Sequence, residues 1–442
     1  SFDNWLCYSC GLKSLFEWTS KDEYYLQAHE GFDRAARLND DSSELWWRWG
    51  ELLGYVGWMR EDVSLLKQAA EKLACADLCE SDHPGVLCLW GTVLMHSGAL
   101  TERLSLLKQA EEKILRSVEL DPENADTWCA YGSCLCELAC YFGDDEYYLQ
   151  ALSRYQYALT LDPENPRLWQ GMGQAQFAAG ELQMDAAIMQ RSLEAYAKAA
   201  ELDGGRSPEL WADWGVALMK LGDLLQDKDL IEASVQRFEQ AIQLHCDGDH
   251  REVHWLYHYG CALDILGDFQ EGTNCYERAI QVLTHVLSLD PDHRAARHNL
   301  ALAYFHLGEV VSDVACFQKA LAELEQVVSL DEEDEVAWND WGLTLLSLAQ
   351  LVDDPPQEEL SQQLREQAES KLTQACALGS IQAYYNLACL YSLTGRGEEA
   401  IDRLRRAKAH QALPPTEELL HDDWLETARE HPGFQEFLQE LN

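Results

Sequence analysis

Residues 125–165 read ADTWCAYGSCLCELACYFGDDEYYLQALSRYQYALTLDPEN. A Trp, a Tyr and a Gly stand close together; cysteines follow, then an acidic break, an Ala/aromatic run and a closing Leu-Asp-Pro. The stretch is either a cysteine-rich chemical site or one tile of a recurring pattern, and the two readings lead to opposite functions. With Gly132 as anchor, the same apolar-x-x-apolar-small position returns at Gly11, Gly50, Gly91, Gly173, Gly215, Gly260, Ala301, Gly342 and Ala388, at intervals of 39 to 46 residues. Four residues before the anchor stands Trp46, Trp128, Trp169, Trp211 or Trp338, and one before it Trp49, Trp90, Tyr131, Trp214, Tyr259 or Trp341. The second half of each tile keeps register too, with Ala69, Ala110 or Ala151 nineteen after the anchor and Tyr155, Tyr196 or Phe238 four later. Several tiles close on Asp-Pro, at Asp121-Pro122, Asp162-Pro163 and Asp290-Pro291. Self-similarity at a fixed period is the mark of a stacked-repeat protein. The opening stretch is one tile of about ten.

Both halves of the tile have i, i+3/i+4 spacing and nothing alternates with period two, so both halves are expected to be helices. A Gly inside a helix costs about 1 kcal/mol relative to Ala. Eight glycine anchors therefore predict a helix–helix approach too close for a side chain, with the neighbouring Trp or Tyr over the seam. Asp-Pro should stop one tile and start the next, because Pro suits a first helical turn.

The Trp-x-x-[Leu/aromatic]-Gly signature, the Ala-x-x-x-aromatic-x-x-Ala run and the closing Pro resemble the tetratricopeptide repeat family over nearly the whole chain. The resemblance implies an all-α protein, a right-handed α-solenoid of about ten helix-turn-helix repeats over residues 1–410, with a C-terminal helical cap at 411–442. The usual period is about 34 residues. Most tiles here are seven longer, and the extra residues fall between the two halves. One added turn per helix, at 3.6 residues each, keeps every inward face in place. The last tile is short, with Ala400 only 12 after Ala388. A Pro-Pro acidic break at 352–363 predicts a surface loop, and Trp424, Leu425, Phe434, Phe437 and Leu438 are the residues expected to cover the last repeat.

The totals fit this reading. The net charge of −44 repels phosphate backbones and anionic lipid and attracts a basic partner. No apolar run reaches the roughly 18–20 residues needed to span a bilayer. Fifteen cysteines in a long chain, an odd number set inside apolar helical patterns, read as small buried thiols of a reducing compartment, so the expected location is cytoplasmic. The chain starts at Ser1, which leaves a removed targeting signal open.

Candidate chemistry is sparse. Cys7 and Cys10 have knuckle spacing, but a structural zinc needs four ligands and no second Cys-x-x-Cys exists. His250, His254 and His258 stand at i, i+4 and i+8, a spacing that can bind zinc from one helix face. No Glu takes the metalloprotease position, and a third ligand would have to come from Asp264 or His298. The basic run Arg403–Lys408 faces the acidic residues Glu417, Glu418, Asp422 and Asp423 as expected partners. No phosphate loop, nucleophile elbow or kinase signature occurs. The expectation is no cofactor, no metal and no enzyme activity.

In the tetratricopeptide family the first helix of each pair lines a groove. The resemblance places the corresponding faces six and three residues before the anchor and one, four and five after it. That implies Glu44, Trp47, Glu51 and Tyr55 in the second tile and Glu137 in the fourth. Gln170, Gln174 and Phe177 follow in the fifth, then His254, Tyr257 and Asp264 in the seventh, and His298 and Phe305 in the eighth. The Lys and Arg neighbours that grip a chaperone's C-terminal carboxylate are absent, so heat-shock tails are not the expected ligand. The implied function is a protein–protein interaction scaffold whose acidic, aromatic groove holds a basic or polar segment with apolar anchors. The alternatives are a chaperone for secreted proteins and a metal-dependent activity in the groove. With −44 charges the protein should be a monomer or only weakly self-associating.

Overall fold

The computed structural model describes residues 1–442 except 20, 245–250, 271, 354–356 and 442, and the side chains of 251 and 252. Two compact units are formed, Ser1–His258 and Tyr259–Asn442. The first holds α1 (Phe2–Thr19), α2 (Asp22–Ala36), α3 (Ser43–Met59), α4 (Val63–Cys79), α5 (Pro84–Leu100) and α6 (Leu104–Leu120). It continues with α7 (Ala125–Phe142), α8 (Asp145–Leu161), α9 (Pro166–Gln183), α10 (Ala186–Asp203), α11 (Pro208–Leu225) and α12 (Lys228–Leu244). The division falls within α13 (Arg251–Asp268). The second unit holds α14 (Asn274–Leu289), α15 (Arg294–Val311), α16 (Val314–Leu330), α17 (Glu335–Leu351), α18 (Glu358–Leu378), α19 (Gln382–Leu393) and α20 (Gly397–Ala409). Short helices α21 (Thr416–His421), α22 (Glu426–Arg429) and α23 (Pro432–Leu441) follow. Every regular element among the described residues is helical, and the units are all-α stacks of helix pairs of the solenoid type. The long tile is built as the period demands: most helices run 17 or 18 residues, while α19 and α20 of the short tile run 12 and 13.

The anchors sit where the two helices of a pair come closest. A Cβ on Gly91 would lie 2.4 Å from Ile114, and one on Gly132 would lie 2.8 Å from the Tyr155 ring. In each case the intruding residue is the large apolar one twenty-three after the anchor, a register kept at Gly50/Leu73, Gly173/Tyr196, Gly215/Phe238 and Gly260/Leu283. Gly11 is the exception: it is exposed, and nothing lies within 4 Å of its would-be Cβ. The true first anchor is Ser9, fully buried, 41 residues before Gly50, with Trp5 and Tyr8 four and one before it. Glycine alone places the first register two residues too late; the aromatic pair Trp5 and Tyr8 fixes it at Ser9.

Helix ends follow from side-chain caps. Asn124, Asp185, Ser207 and Asp313 accept first-turn N–H groups, satisfying donors that a helix leaves unpaired. Asp-Pro acts differently from expectation. Asp121 and Asp162 end α6 and α8 in non-helical geometry, but Pro122 and Pro163 stay in the turn, and other prolines (Pro84, Pro166, Pro208) open helices. The turn carbonyls have a use. Trp128 and Trp169 donate their indole N–H groups to Pro122 and Pro163 O at 2.8 and 2.9 Å, six residues back. Trp46, Trp211 and Trp338 repeat the bond to Asp40, Gly205 and Glu332 O.

A second device was not read from the sequence. Lys72, Lys113, Arg154 and Arg237, each twenty-two after its anchor, place a cation 4.0–5.4 Å from the ring of Trp49, Trp90, Tyr131 and Trp214. Lys371 does the same at 3.7 Å over Trp341, seven positions later because of the 352–363 insertion. Of that insertion, residues 358–363 are already helical and 354–356 lie outside the described residues. Residues 411–442 belong to the second unit. Leu419, Leu425, Phe434 and Phe437 are buried in the core of the last pairs, with Trp424 and Leu438 packed against it. Arg405 pairs with Glu440 at 2.8 Å and Lys408 donates to Glu440 O. Glu440 of α23, rather than the residues at 417–423, is therefore the acid that meets the basic run.

Candidate functional site

Within each unit the first helices of neighbouring pairs run side by side, and their facing rows carry most of the residues picked out by the groove pattern. Six of these are engaged inside the protein. Glu51 accepts Lys13 of α1 at 3.0 Å and Arg48 at 3.3 Å. Gln170 and Gln174 both donate to one carboxylate oxygen of Asp213 on α11, at 2.7 and 2.8 Å. In the second unit, His298 meets Asp340 at 2.8 Å and Asp264 meets His306 at 3.2 Å. Phe305 is buried, 5.9 Å ring to ring from Phe317. It is a core residue, because its position four after the anchor turns in behind the row, and it is corrected out of the binding set. Asp264 is buried as well.

These pairs follow a register of their own. The residue three before one anchor meets the residue two before the next: Gln170 with Asp213, His298 with Asp340, and Asn339 with Asn386 at 2.8 Å. The partners Asp213, Asp340 and Asn386 were the missed residues, and polar side chains at that offset were the available signal. Burial raises the Asp264 carboxyl despite the opposing His306 hydrogen bond and charge. Burial pulls His306 down, but the Asp264 hydrogen bond and the charges of Asp264, Asp268 and Glu309 outweigh it and leave it raised.

The remaining candidates all lie in the first unit. Glu44 and His254 are exposed, and Trp47, Tyr55, Phe177 and Tyr257 are half-buried. Trp47 lies 4.8 Å from the His83 ring and under the Arg48 guanidinium. Tyr257 and His254 both flank His258, at 4.9 and 4.5 Å. Glu137 is half-buried, its carboxyl raised by burial, on a cleft of about 340 Å³ with Glu102, Cys140 and Tyr141. His250 of the histidine row lies outside the described residues. Among the described residues no three His, Cys, Asp or Glu side chains gather to hold a metal ion. Cysteines divide between core and surface: Cys134, Cys275, Cys316 and Cys389 are buried, whereas Cys7, Cys79 and Cys140 are exposed. The expectation of small buried thiols holds for the first group and is corrected for the exposed one. Burial pushes the Cys134 thiol up to about 12, which leaves it protonated and unreactive. No helix among the described residues is long and apolar enough to cross a membrane.

The sequence profile of the tetratricopeptide repeat matches residues 136–200 and 260–327, and a second tetratricopeptide profile matches 381–408. Together with helix pairs in that register from α1 to α20, these matches support a tetratricopeptide repeat protein. No curated protein sequence matches it. Solved structures with similar folds include YrrB, described as a TPR protein with an unusual peptide-binding site, at 18% identity over 52% of this chain and 98% of that one, TM-score 0.36. A thermophilic TPR protein of Thermus thermophilus, TTC0263, matches at 18% identity over 49% and 99%, TM-score 0.38. A human IFIT1 dimer with m7Gppp-AAAA matches at 14% identity over 88% and 82%, TM-score 0.49.

Proposed function

We propose that this chain is a non-catalytic protein–protein interaction scaffold, the role that tetratricopeptide repeats imply, and that it holds a protein or peptide segment on the first-helix row of its first unit. The observation that carries the reading is the row itself: Trp47, Tyr55, Phe177 and Tyr257 keep exposed aromatic surface beside Glu44, Glu137 and His254. Aromatic anchors supply most of the energy in such interfaces, and a chain at −44 steers a basic segment inward. The partner is a basic or polar segment with apolar anchors, and the compartment is the cytoplasm. Glu51 was expected to contribute charge; its bonds to Lys13 and Arg48 leave that role to Glu137 and to the exposed Glu44, which lies 3.8 Å from Arg48.

The test is selection of binders from a random peptide library on immobilised protein, followed by dissociation rates on variants. Trp47→Ala and Tyr257→Ala should each weaken selected peptides by about 1–2 kcal/mol through faster dissociation. Dissociation unchanged in both variants, alongside a lowered melting temperature, assigns those rings to packing and ends the proposal.

A further inference from the structure

The long tile adds a turn to each first helix, and the added turn makes a surface of its own. In the short tile α19 ends at Leu393, five residues after its anchor, whereas α5, α7, α9 and α11 run nine or ten residues past theirs. Nine after the anchor stand Leu100, Tyr141, Leu182 and Leu224, one on each of four consecutive first helices. All four are exposed, with 39 to 46% of their surface in solvent. They form a stepped apolar ledge that a helix of the short length would not reach.

Beside the first two steps lies the cleft of about 340 Å³, and its chemistry is different. Ala99 and Leu107 give it an apolar wall, while Glu102, Glu137 and Tyr141 give it two carboxyls and a ring. Carboxylates on neighbouring first helices are matched: Glu51 on α3 by Lys13 and Arg48, and Glu181 on α9 by Lys220 at 3.7 Å. Glu137 on α7 has neither an ion pair nor a hydrogen bond among the described residues, and burial alone raises its carboxyl, as befits a carboxylate that lacks a positive partner. Arg103 and Lys108, the basic residues nearest in sequence, do not line the cleft, and Lys108 is held by Glu111 at 3.0 Å. The turns after the steps add acid. Asp144, Asp145 and Glu146 follow Tyr141, and Asp185 follows Leu182, with no basic residue until Arg154 and Arg191.

We propose that ledge and cleft together are a docking site for an extended segment of another protein, with one arginine or lysine side chain in the cleft and apolar side chains on the steps. This rests on the scaffold reading above and gives its partner a sequence pattern. The apolar wall covers the methylene stem of the basic residue, and the carboxyls and the Tyr141 ring meet its charged head. Neighbouring helices lie about 8–10 Å apart, and an extended chain covers about 3.3 Å per residue, so the segment presents an apolar residue to the steps at every third position. Carboxyls without partners select a cation, which the same face of a second copy would not bring.

Cys140, exposed and lining the cleft, is the reporter. The probe is the peptide acetyl-Leu-Ala-Ala-Arg-Ala-Ala-Leu-amide, and the reading is the rate at which methyl methanethiosulfonate labels Cys140 of the full chain, followed by mass spectrometry. Exposed Cys79 is the reference, and buried Cys134 should stay unlabelled while the fold is intact. The peptide is expected to slow labelling of Cys140 saturably and to leave Cys79 unchanged. Citrulline in place of the arginine, or Glu137→Gln in the protein, should raise the half-protecting concentration about tenfold, and so should Leu182→Asp on the ledge. Should Glu137→Gln lower the melting temperature, Glu102→Gln at an exposed residue reads the same loss. Absence of saturable protection overturns the proposal, as does protection indifferent to the charge on the peptide, to the glutamate variants or to Leu182→Asp. A dimer in light scattering that Leu182→Asp dissolves also overturns it, by naming a second copy as the occupant. Trp47→Ala and Tyr257→Ala should leave the protection intact, so failure here and failure of the first-helix row are told apart.

Discussion

The two units build the same repeat and both pair polar residues across the first-helix row, Gln170 and Gln174 with Asp213 in the first and His298 with Asp340 in the second, but they leave different surfaces open. In the second unit the first-helix row is closed on itself by Asp264–His306, His298–Asp340 and Asn339–Asn386, and its last pair is covered by Leu425, Phe434 and Phe437. In the first unit Trp47, Tyr55 and Tyr257 keep surface on the row, and the α1 face that carries Tyr8, Leu15 and Trp18 is bare. A stack of repeats has one surface chemistry only if each position faces the same neighbour. Where the neighbour is missing or the facing offset turns apolar, the same register yields an open surface. The contrast is the ground on which binding is proposed for the first unit.

The sharpest way to break that contrast is to compare the two terminal faces. Phe437→Ala removes a fully buried ring and should cost about 3–5 kcal/mol, while Tyr8→Ala, at a half-exposed ring, should stay within about 0.5 kcal/mol. Urea denaturation measures both. Comparable losses would mean that the α1 face is covered in solution.

The anchors give the next largest effect. Gly91→Ala forces a methyl to within 2.4 Å of Ile114, and overpacking of that kind costs about 1–3 kcal/mol. Gly11→Ala adds a methyl in open space within a helix and should stabilise by about 0.5–1 kcal/mol. Opposite signs at two residues that look alike in the sequence would establish Ser9 as the first anchor.

How much was legible follows the same line. Periodicity of anchors and aromatics exposed the helix pairs and their lengths, because burial repeats wherever a neighbour repeats. Pairing across first helices was not legible. Gln170 and Gln174 look like groove residues until Asp213, some forty residues on, is placed opposite them. Phe305 looked exposed because an offset from the anchor names a face only approximately, and four residues of helix carry it past the rim into the core. The cation clasps were missed because the eye reads Lys72 or Lys371 as solvated charge, while each lies over a Trp pair.

Those clasps permit a gentler test, because the eighth tile inverts one. Arg297 stands where other tiles have Trp, bonds Pro291 O at 2.8 Å as the indoles do, and meets Glu323 at 2.9 Å where others have a cation. Removing the cation in the ninth tile, Lys371→Met, should lose about 0.5–1 kcal/mol. In the eighth, Arg297→Trp alone strands Glu323 against a ring, and Glu323→Lys alone sets two cations together. The double variant should recover most of either loss, read as a coupling energy in a double-mutant cycle. Strict additivity would show that the two arrangements are unrelated.

The smallest effect is a pH dependence confined to the second unit. His306 is packed against Asp264, with Asp268 and Glu309 nearby and the Tyr276 ring 5.7 Å away. Its folded pKa lies above the ordinary value of 6.5, so the folded state holds the proton more tightly than the unfolded chain does. Stability from this group is complete below the unfolded value and is lost as pH rises through the folded one. The raised Asp264 carboxyl has the same sign in the acid range, from 3.8 upward, and so does not mask the change near neutrality. For a largely buried but still partly wetted pair the loss should be no more than about 1 kcal/mol. The parent should therefore weaken between about pH 6.5 and mildly alkaline pH, and His306→Gln, which keeps a hydrogen-bonding group beside Asp264, should flatten that slope. Tyr257 and Trp47 variants in the first unit should leave it intact. An unchanged slope in His306→Gln would place the titration elsewhere among the acidic residues and remove this pair from the account of the second unit's pH dependence.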